Sequence, residues 1–438
     1  MNAKQKIDEG ELQKAVELLD RVLGADARRP GAAAKLPAVI RVIESLEAAG
    51  GMGFPVFPAS YAGVGDNDPP VYDLSGIVYG DVQETIKGKG RTTVQRPQVI
   101  RAERCTIDSP QSQANRTEVA FVEDEQLQSL VPQASASIPR KEGRNGEESV
   151  MRLPHRIADF RVRASDKHKD VKAAIADFAN GNSLKLLQLM PTSVVFGFWD
   201  SRGEGTQPKH ARILLSRIDA FDVIPCRRHA LYSGPYSADE FAEVVLERPA
   251  TGKGEEDKMG ELGYKSVPSE GLGGVLVKDR IERLALISLT DIARLCCRNE
   301  NGEVDKPKTN AARRYVFVLA ALAEAYPRST GSHRLRSGCE LVSKASHVVD
   351  LRGGDSTYTD GDALRGLYAN RDVLVAVATQ AKGILEIPDQ AGTFTLSKEA
   401  LRAEFPTASV PSPPAAGTAA SDGSNAPKSP RKPSKRSR

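Results

Sequence analysis

The sequence predicts a protein of the α+β class. Three observations carry that expectation. Stretches with alternating or continuous apolar residues read as strands, at Val99 to Ile107, Thr192 to Asp200 and Ile213 to Ile224. Stretches with apolar residues at helical spacing, at Ile7 to Leu23, Val171 to Leu189 and Asn310 to Tyr326, read as helices. The two kinds interleave irregularly, with polar insertions between them, rather than in a strict strand–helix alternation.

In chain order, Ile7 to Leu23 sets Leu12, Val16, Leu19 and Leu23 on one helical face, and Pro30-Gly31 breaks the helix. A second helix is expected over Leu36 to Ala49, closed by Gly50-Gly51. Met52 to Tyr72 shifts to Gly, Pro and aromatics, the composition of loop with short strands. Val71 to Thr85 holds a strand or hairpin. In IKGKGRTTVQR, Lys87, Lys89, Arg91 and Arg96 surround Gly88 and Gly90. Glycines let backbone approach a phosphate chain and cations neutralise it, while the plainer reading is a solvated loop tip. Position just before the Val99 strand favours the first reading. Asp108-Ser109-Pro110 then stops that strand and opens a helix, because Asp or Ser accepts orphan N–H groups and Pro fits the first turn. Ser112, Gln113, Asn115 and Arg116 at the helix start can donate to phosphate or ribose oxygens, at a terminus that itself attracts anions.

Gln126 to Val150, centred on PRKEGRNGEE, is a polar insertion, and order returns over Met151 to Ala164. Val171 to Leu189 is expected as a helix with Val171, Ile175, Phe178 and Leu186 near one face. Thr192 to Asp200 is the strongest candidate for a buried strand, and it carries the only tryptophan, Trp199. Trp199 reads most simply as a core or interface aromatic, and alternatively as a wall beside a nucleic-acid groove. Arg202, Lys209 and Arg212 flank Gly203 and Gly205, a pattern suited to cradling phosphate. Cys226 to Gly274 is a long charged, glycine-rich insertion. Arg280 to Cys297 and Asn310 to Tyr326 are expected as helices. Pro327 to Gly338 is a third basic, glycine-bearing loop, with Arg328, His333, Arg334, Arg336 and Ser337. A strand over Cys339 to Leu351, a helix over Asp360 to Thr379, an extended run to Phe394 and a last helix ending at Phe405 complete the body. Thr407 to Arg438 is too poor in large apolar residues to build a core. No internal repeat is visible.

Four strings in this order carry a family resemblance: DSPQSQANRTE at Asp108 to Glu118, HRIADFRVRAS at His155 to Ser165, FGFWDSRG at Phe196 to Gly203, and LRSGCELV at Leu335 to Val342. Together they resemble the RAMP-superfamily backbone subunit of the type I-G (formerly I-U) CRISPR Cascade complex. The resemblance frames Val99 to about Leu351. Gly51 to Val82 fits it poorly, and the insertion after Arg227 and the tail after Phe405 match nothing in it. It implies a ferredoxin-like, RRM-type core over residues 51–405, with insertions near 127–150 and 226–275 forming fingers and thumb. Periodicity and composition add helices over 1–50 and a disordered basic tail over 406–438. It also implies a subunit that binds guide RNA and lines up in several copies along the spacer, leaving bases free to pair with target DNA. Its further partners would be the large subunit and the repeat-end-binding subunit. Arg156, inside the second string, joins the candidate RNA contacts.

Composition sets the bounds. The 438 residues, 40% of them hydrophobic, suffice for a sizeable core. Mean hydropathy is −0.37, and no apolar run approaches the ~20 residues of a membrane span. MNAKQKIDEGELQ has no apolar signal core, so a cytoplasmic location without membrane association is expected. The five cysteines show no CxxC spacing and read as reduced thiols rather than a disulfide or zinc framework. The net charge of +4 is unevenly spread. After Phe405, six cations face the single acid Asp422, giving the tail +5 and leaving the rest at −1. Nucleic acid would therefore be bound in local grooves rather than by a general polycation.

No catalytic residue, metal site or cofactor is expected. The six histidines show no HExxH spacing, and GEGTQPKH lacks the ending of a Walker loop. The rival enzymatic reading is metal-free cleavage of precursor guide RNA, with His210 beside Lys209, or His333, as acid–base group. A protein scaffold that binds no RNA ranks third. The leading expectation is that the three basic loops lie along one RNA groove, brought there by the fold or by neighbouring copies.

Overall fold

The computed structural model describes residues 7–24, 36–63, 70–87, 91–138, 146–201, 207–232, 267–354 and 359–404. Helix α1 (Glu9–Leu23) buries Ala15, Val16, Leu18, Leu19, Val22 and Leu23. The next element is a strand, β1 (Val39–Ala48), where helical spacing had suggested a helix. VIRVIESLEA fits both periods. Its alternating burial, with Ile40, Val42, Glu44 and Leu46 inward, shows that pairing on both edges decides.

Short strands β2 (Ser60–Tyr61) and β3 (Val71–Tyr72) pair with each other. Strands β4 (Leu74–Lys87) and β5 (Arg91–Asp108) form a long hairpin. Helix α2 (Pro110–Glu118) opens as expected, and Ser109 is its cap, accepting from the Ser112 N–H at 3.3 Å. Short helices α3 (Ala120–Glu123) and α4 (Glu125–Gln128) follow. The polar stretch after Gln126, expected as an insertion, contains β6 (Gln133–Ile138) and β7 (Gly146–Ser149), which build a small sheet.

Helices α5 (Phe160–Arg163), α6 (His168–Ala179) and α7 (Leu184–Leu189) come next. The single helix expected over Val171 to Leu189 is broken at Gly181, whose φ of 81° is left-handed. The run expected as a buried strand at Thr192 is helix α8 (Pro191–Phe196), with Pro at its first turn and Gly197 (φ 75°) as its stop. Only β8 (Phe198–Trp199) is extended, pairing with β9 (Lys209–His210).

Strand β10 (Leu214–Tyr232) pairs in its second half with β11 (Val267–Val277), so the expected insertion begins as a hairpin. Its residues 233–266 lie outside the described set. Arg280 to Cys297 is not a long helix but β12 (Ile281–Ser288) followed by α9 (Leu289–Ala293). The strict burial alternation of IERLALIS is a strand period that the leucines had masked. Helix α10 (Lys306–Ser329) is buried from Ala311 to Glu324 except at Arg313, and packs on α1, α8 and helix α12 below. Then come β13 (Ser332–Arg336), β14 (Cys339–Arg352), α11 (Gly361–Ala369), α12 (Arg371–Ile384), β15 (Gln390–Phe394) and α13 (Lys398–Glu404). Strand β15 joins β6 in parallel.

The main sheet has the order β13-β14-β1-β12-β10-β5-β4, with β11 also on β10. Every pairing in it is antiparallel. Its central four strands, β14-β1-β12-β10, stand in the order fourth, first, third, second. Helices fill both crossovers, so the core follows the β-α-β-β-α-β order expected from the family resemblance. The β4–β5 hairpin sits within the first crossover and widens one edge. The protein is thus an α+β fold built on a large antiparallel sheet. Among the described residues, no helix is long and apolar enough to cross a membrane.

Candidate nucleic-acid interface

Helix α2 organises the site. Its spacing buries Gln113, Ala114, Thr117 and Glu118 and leaves Ser112, Asn115 and Arg116 half-exposed, one turn apart on the outer face. The inner face meets a carboxylate from the preceding strand. Asp108, fully buried, accepts from Gln113 Nε2 at 2.7 Å, Arg116 Nε at 3.2 Å and an Arg336 terminal nitrogen at 2.9 Å. Gln113 also accepts from the Ser216 hydroxyl, and the far end of the Arg116 guanidinium donates to the Leu335 carbonyl at 2.7 Å. Arg336 donates as well to the carbonyls of Phe57 and Ile107.

A second buried carboxylate, Glu118, accepts from Arg156 Nε at 2.6 Å. Burial pushes the Glu118 carboxyl up, against the opposing charge of Arg156 and a hydrogen bond from Thr192. Arg156 is 3% exposed, lies 5.2 Å from the Phe196 ring centre, and donates to Asn115 Oδ1 at 3.2 Å. Its φ of 53° is left-handed, a conformation that L-residues rarely hold without compensating contacts.

Arg212 stands beside Arg156, half-buried, with Nε buried and without a hydrogen-bond partner among the described residues. Burial first, and the charge of Arg156 second, push its guanidinium below the usual range. Among the described residues, no carboxylate is paired with this arginine, and a buried guanidinium is stabilised by an anion. Nearby, Gly197 brings its backbone against that of His210 and Arg212. Trp199 is 53% exposed, with Lys209 Nζ 4.6 Å over its ring, so it is neither core nor covered. The neighbouring Asp200 pairs with Arg163 inside the protein.

Several sequence expectations change with this geometry. The four strings quoted above converge on α2. Gln113 and Arg156, expected as RNA contacts, are interior and committed to carboxylates. Arg336 is a tether, with three protein acceptors. Arg334 is exposed on β13, and Ser337 on the turn to β14. Arg202 lies outside the described residues, as do Lys89 and the side chains of Lys87, Arg91 and Arg96. The backbone places Lys87 opposite Arg91 at the tip of the β4–β5 hairpin. Asp108 lies seventeen residue steps along β5 from Arg91, about 55 Å at ~3.3 Å per step. The hairpin tip therefore stands far along β5 from the Asp108 end, where Arg336 is held. His210 is half-buried, its Nε2 against the Val194 carbonyl and its ring against Phe178, and burial lowers its basicity. His333 is buried against Glu44. Both candidate acid–base histidines are thus held by internal contacts.

Sequence reasoning missed Asp108 and Glu118 as working residues. Asp108 had been read as a strand stop and a candidate helix cap, and Glu118 as the end of a motif. The available signal was their place at the two ends of a polar helix that itself buries Gln113.

The sequence model of the family described as CRISPR-associated protein GSU0053 matches residues 40–225. That stretch runs from β1 into β10 and includes α2, Arg156, Trp199 and Arg212. The match covers under half of the chain and is a similarity to a CRISPR-associated family. No curated protein matches the chain.

Proposed function

We propose that this chain is CRISPR-associated and binds guide RNA as a backbone subunit of a Cascade-type complex, without cutting it. Copies would line up along the spacer, hold its sugar-phosphate chain and leave the bases to pair with target DNA. Other subunits of the complex would close the ends of the array. The observation that supports this reading best is Arg212: a half-buried guanidinium beside Arg156, whose Nε has no partner among the described residues, near the outward stripe of Ser112, Asn115 and Arg116. A phosphodiester supplies the missing charge and acceptors. Exposed Trp199 adjoins the same patch and offers a flat face to a base or ribose.

The test is purification followed by an absorbance ratio and a denaturing gel, then binding of Arg212→Ala and wild type to two unrelated single-stranded RNAs across a salt series. Wild type should carry or bind RNA that stays intact. The variant should lose affinity about equally for both RNAs, with a salt slope smaller by roughly 0.7. Protein free of RNA that binds neither oligonucleotide would overturn the reading. RNA shortened during incubation would replace it with the ribonuclease alternative.

A further inference from the structure

We propose that Asp108 and Glu118 are positioning residues, two buried carboxylates that aim the donor groups of Arg116 and Asn115 at one phosphodiester. This rests on the RNA-binding reading above and adds how its contacts are oriented. Asp108 takes Arg116 by Nε, and the Leu335 carbonyl takes one terminal nitrogen, so the guanidinium is fixed at two points. Of five N–H groups, two are used this way, which leaves three on a side chain 37% exposed. Glu118 acts one step further back. It holds Arg156, and Arg156 donates to Asn115 Oδ1. That bond settles which way the amide faces and leaves Asn115 Nδ2 as a donor with no partner among the described residues. Asn115 and Arg116 are consecutive, so both donor groups leave the same turn of α2.

The strained backbone of Arg156 points the same way. A left-handed arginine is retained where its contacts outweigh the strain, and here those contacts are Glu118, Phe196 and Asn115. Holding a long side chain in its bound geometry removes ordering entropy from the binding step, an effect of about tenfold per side chain.

Charge and positioning predict opposite signs, which makes the proposal testable. Removing a carboxylate close to bound phosphate tightens binding if charge alone matters. It weakens binding if the carboxylate aims the donors. The experiment measures anisotropy of a fluorescein-labelled single-stranded RNA with full-length wild type, Asp108→Asn, Glu118→Gln and Arg116→Lys, beside thermal melting of each. Asp108→Asn and Glu118→Gln should each weaken binding about tenfold although each makes the protein more positive. The Asp108→Asn slope against salt should fall by roughly 0.7 as the Arg116 contact is lost. Arg116→Lys keeps the charge, loses the fork and leaves Gln113 and Arg336 on Asp108, so it decides the matter if the buried substitutions do not fold. It too should weaken binding about tenfold. Affinity that is unchanged or tighter in folded variants overturns the positioning role and leaves RNA binding standing. Absence of binding by wild type overturns both.

Discussion

Arg283 is fully buried and donates at 2.6 Å both to Glu44 Oε2 and to Glu324 Oε1. Arg328 and Tyr368 close on Glu324, and His333 and Ser343 on Glu44, so two carboxylates and two guanidiniums balance beneath the sheet. Removing one partner leaves a buried charge unpaired. Arg283→Met, close in volume, should cost about 3–5 kcal/mol in denaturant unfolding. A loss under 1 kcal/mol would show that the cluster relaxes or admits water. Glu44 also sets a pH response. Burial raises its carboxyl, but the His333 hydrogen bond, the charges of Arg283 and His333 and the Ser343 hydrogen bond outweigh that and hold it at about 2, against an ordinary 4.5. Its folded value is depressed, so its stabilisation is complete above about pH 4.5 and is lost as pH falls toward 2. The stability difference between wild type and Glu44→Gln should therefore narrow across that window. A constant difference from pH 5 to pH 3 would contradict it.

At the scale of elements, the join between α8 and β8 governs where Arg212 stands. Gly197 has a φ of 75°, and a Cβ there would lie 2.8 Å from the His210 carbonyl oxygen and 3.0 Å from the Arg212 nitrogen. Both atoms are backbone, so no side chain can rotate away. Gly197→Ala should cost about 1–3 kcal/mol and displace the segment that carries Arg212. Melting temperature and RNA affinity should fall together. A lower melting temperature with unchanged affinity per folded molecule would separate Arg212 from the RNA. The cap of α2 offers a milder change: Ser109→Ala should cost about 0.5–2 kcal/mol, seen as an earlier denaturant midpoint.

On the scale of the whole molecule, the antiparallel registers send the β4–β5 and β10–β11 hairpins out from the same end of the sheet. Pairing of β5 with β10 stops at Ala102↔Val223, so the outer part of β4–β5 carries the backbone of Lys87 and Arg91 away from the core. Replacing residues 83–95 with an Asn-Gly turn should leave the thermal transition in place, because that segment lies beyond the last pairing of β5 with β10. If Lys87, Lys89 and Arg91 contact RNA, the salt slope should fall by roughly 2, from roughly 0.7 per contact. An unchanged slope would assign the tip to contacts other than RNA.

The amino-acid order alone determined the class of fold, the strand into Asp108, the cap and start of α2, helices α1 and α10 and the strand after Cys339. Each of these is announced locally, by a period, a cap or a breaker. Tertiary structure decided β1, α8 and β12, where apolar residues satisfy two periods and the neighbour that completes the pairing or packing selects one. It also separated the polar candidates. Ser112, Gln113, Asn115 and Arg116 are alike as sequence, but a helix turn of about 100° per residue sends Gln113 inward and the others out. Arg156 and Arg212 are alike too, but Glu118 pairs with the first, while the Nε of the second has no partner among the described residues. Ion pairing between residues 38 positions apart in the chain depends on the distance between folded elements, and no local pattern encodes that distance.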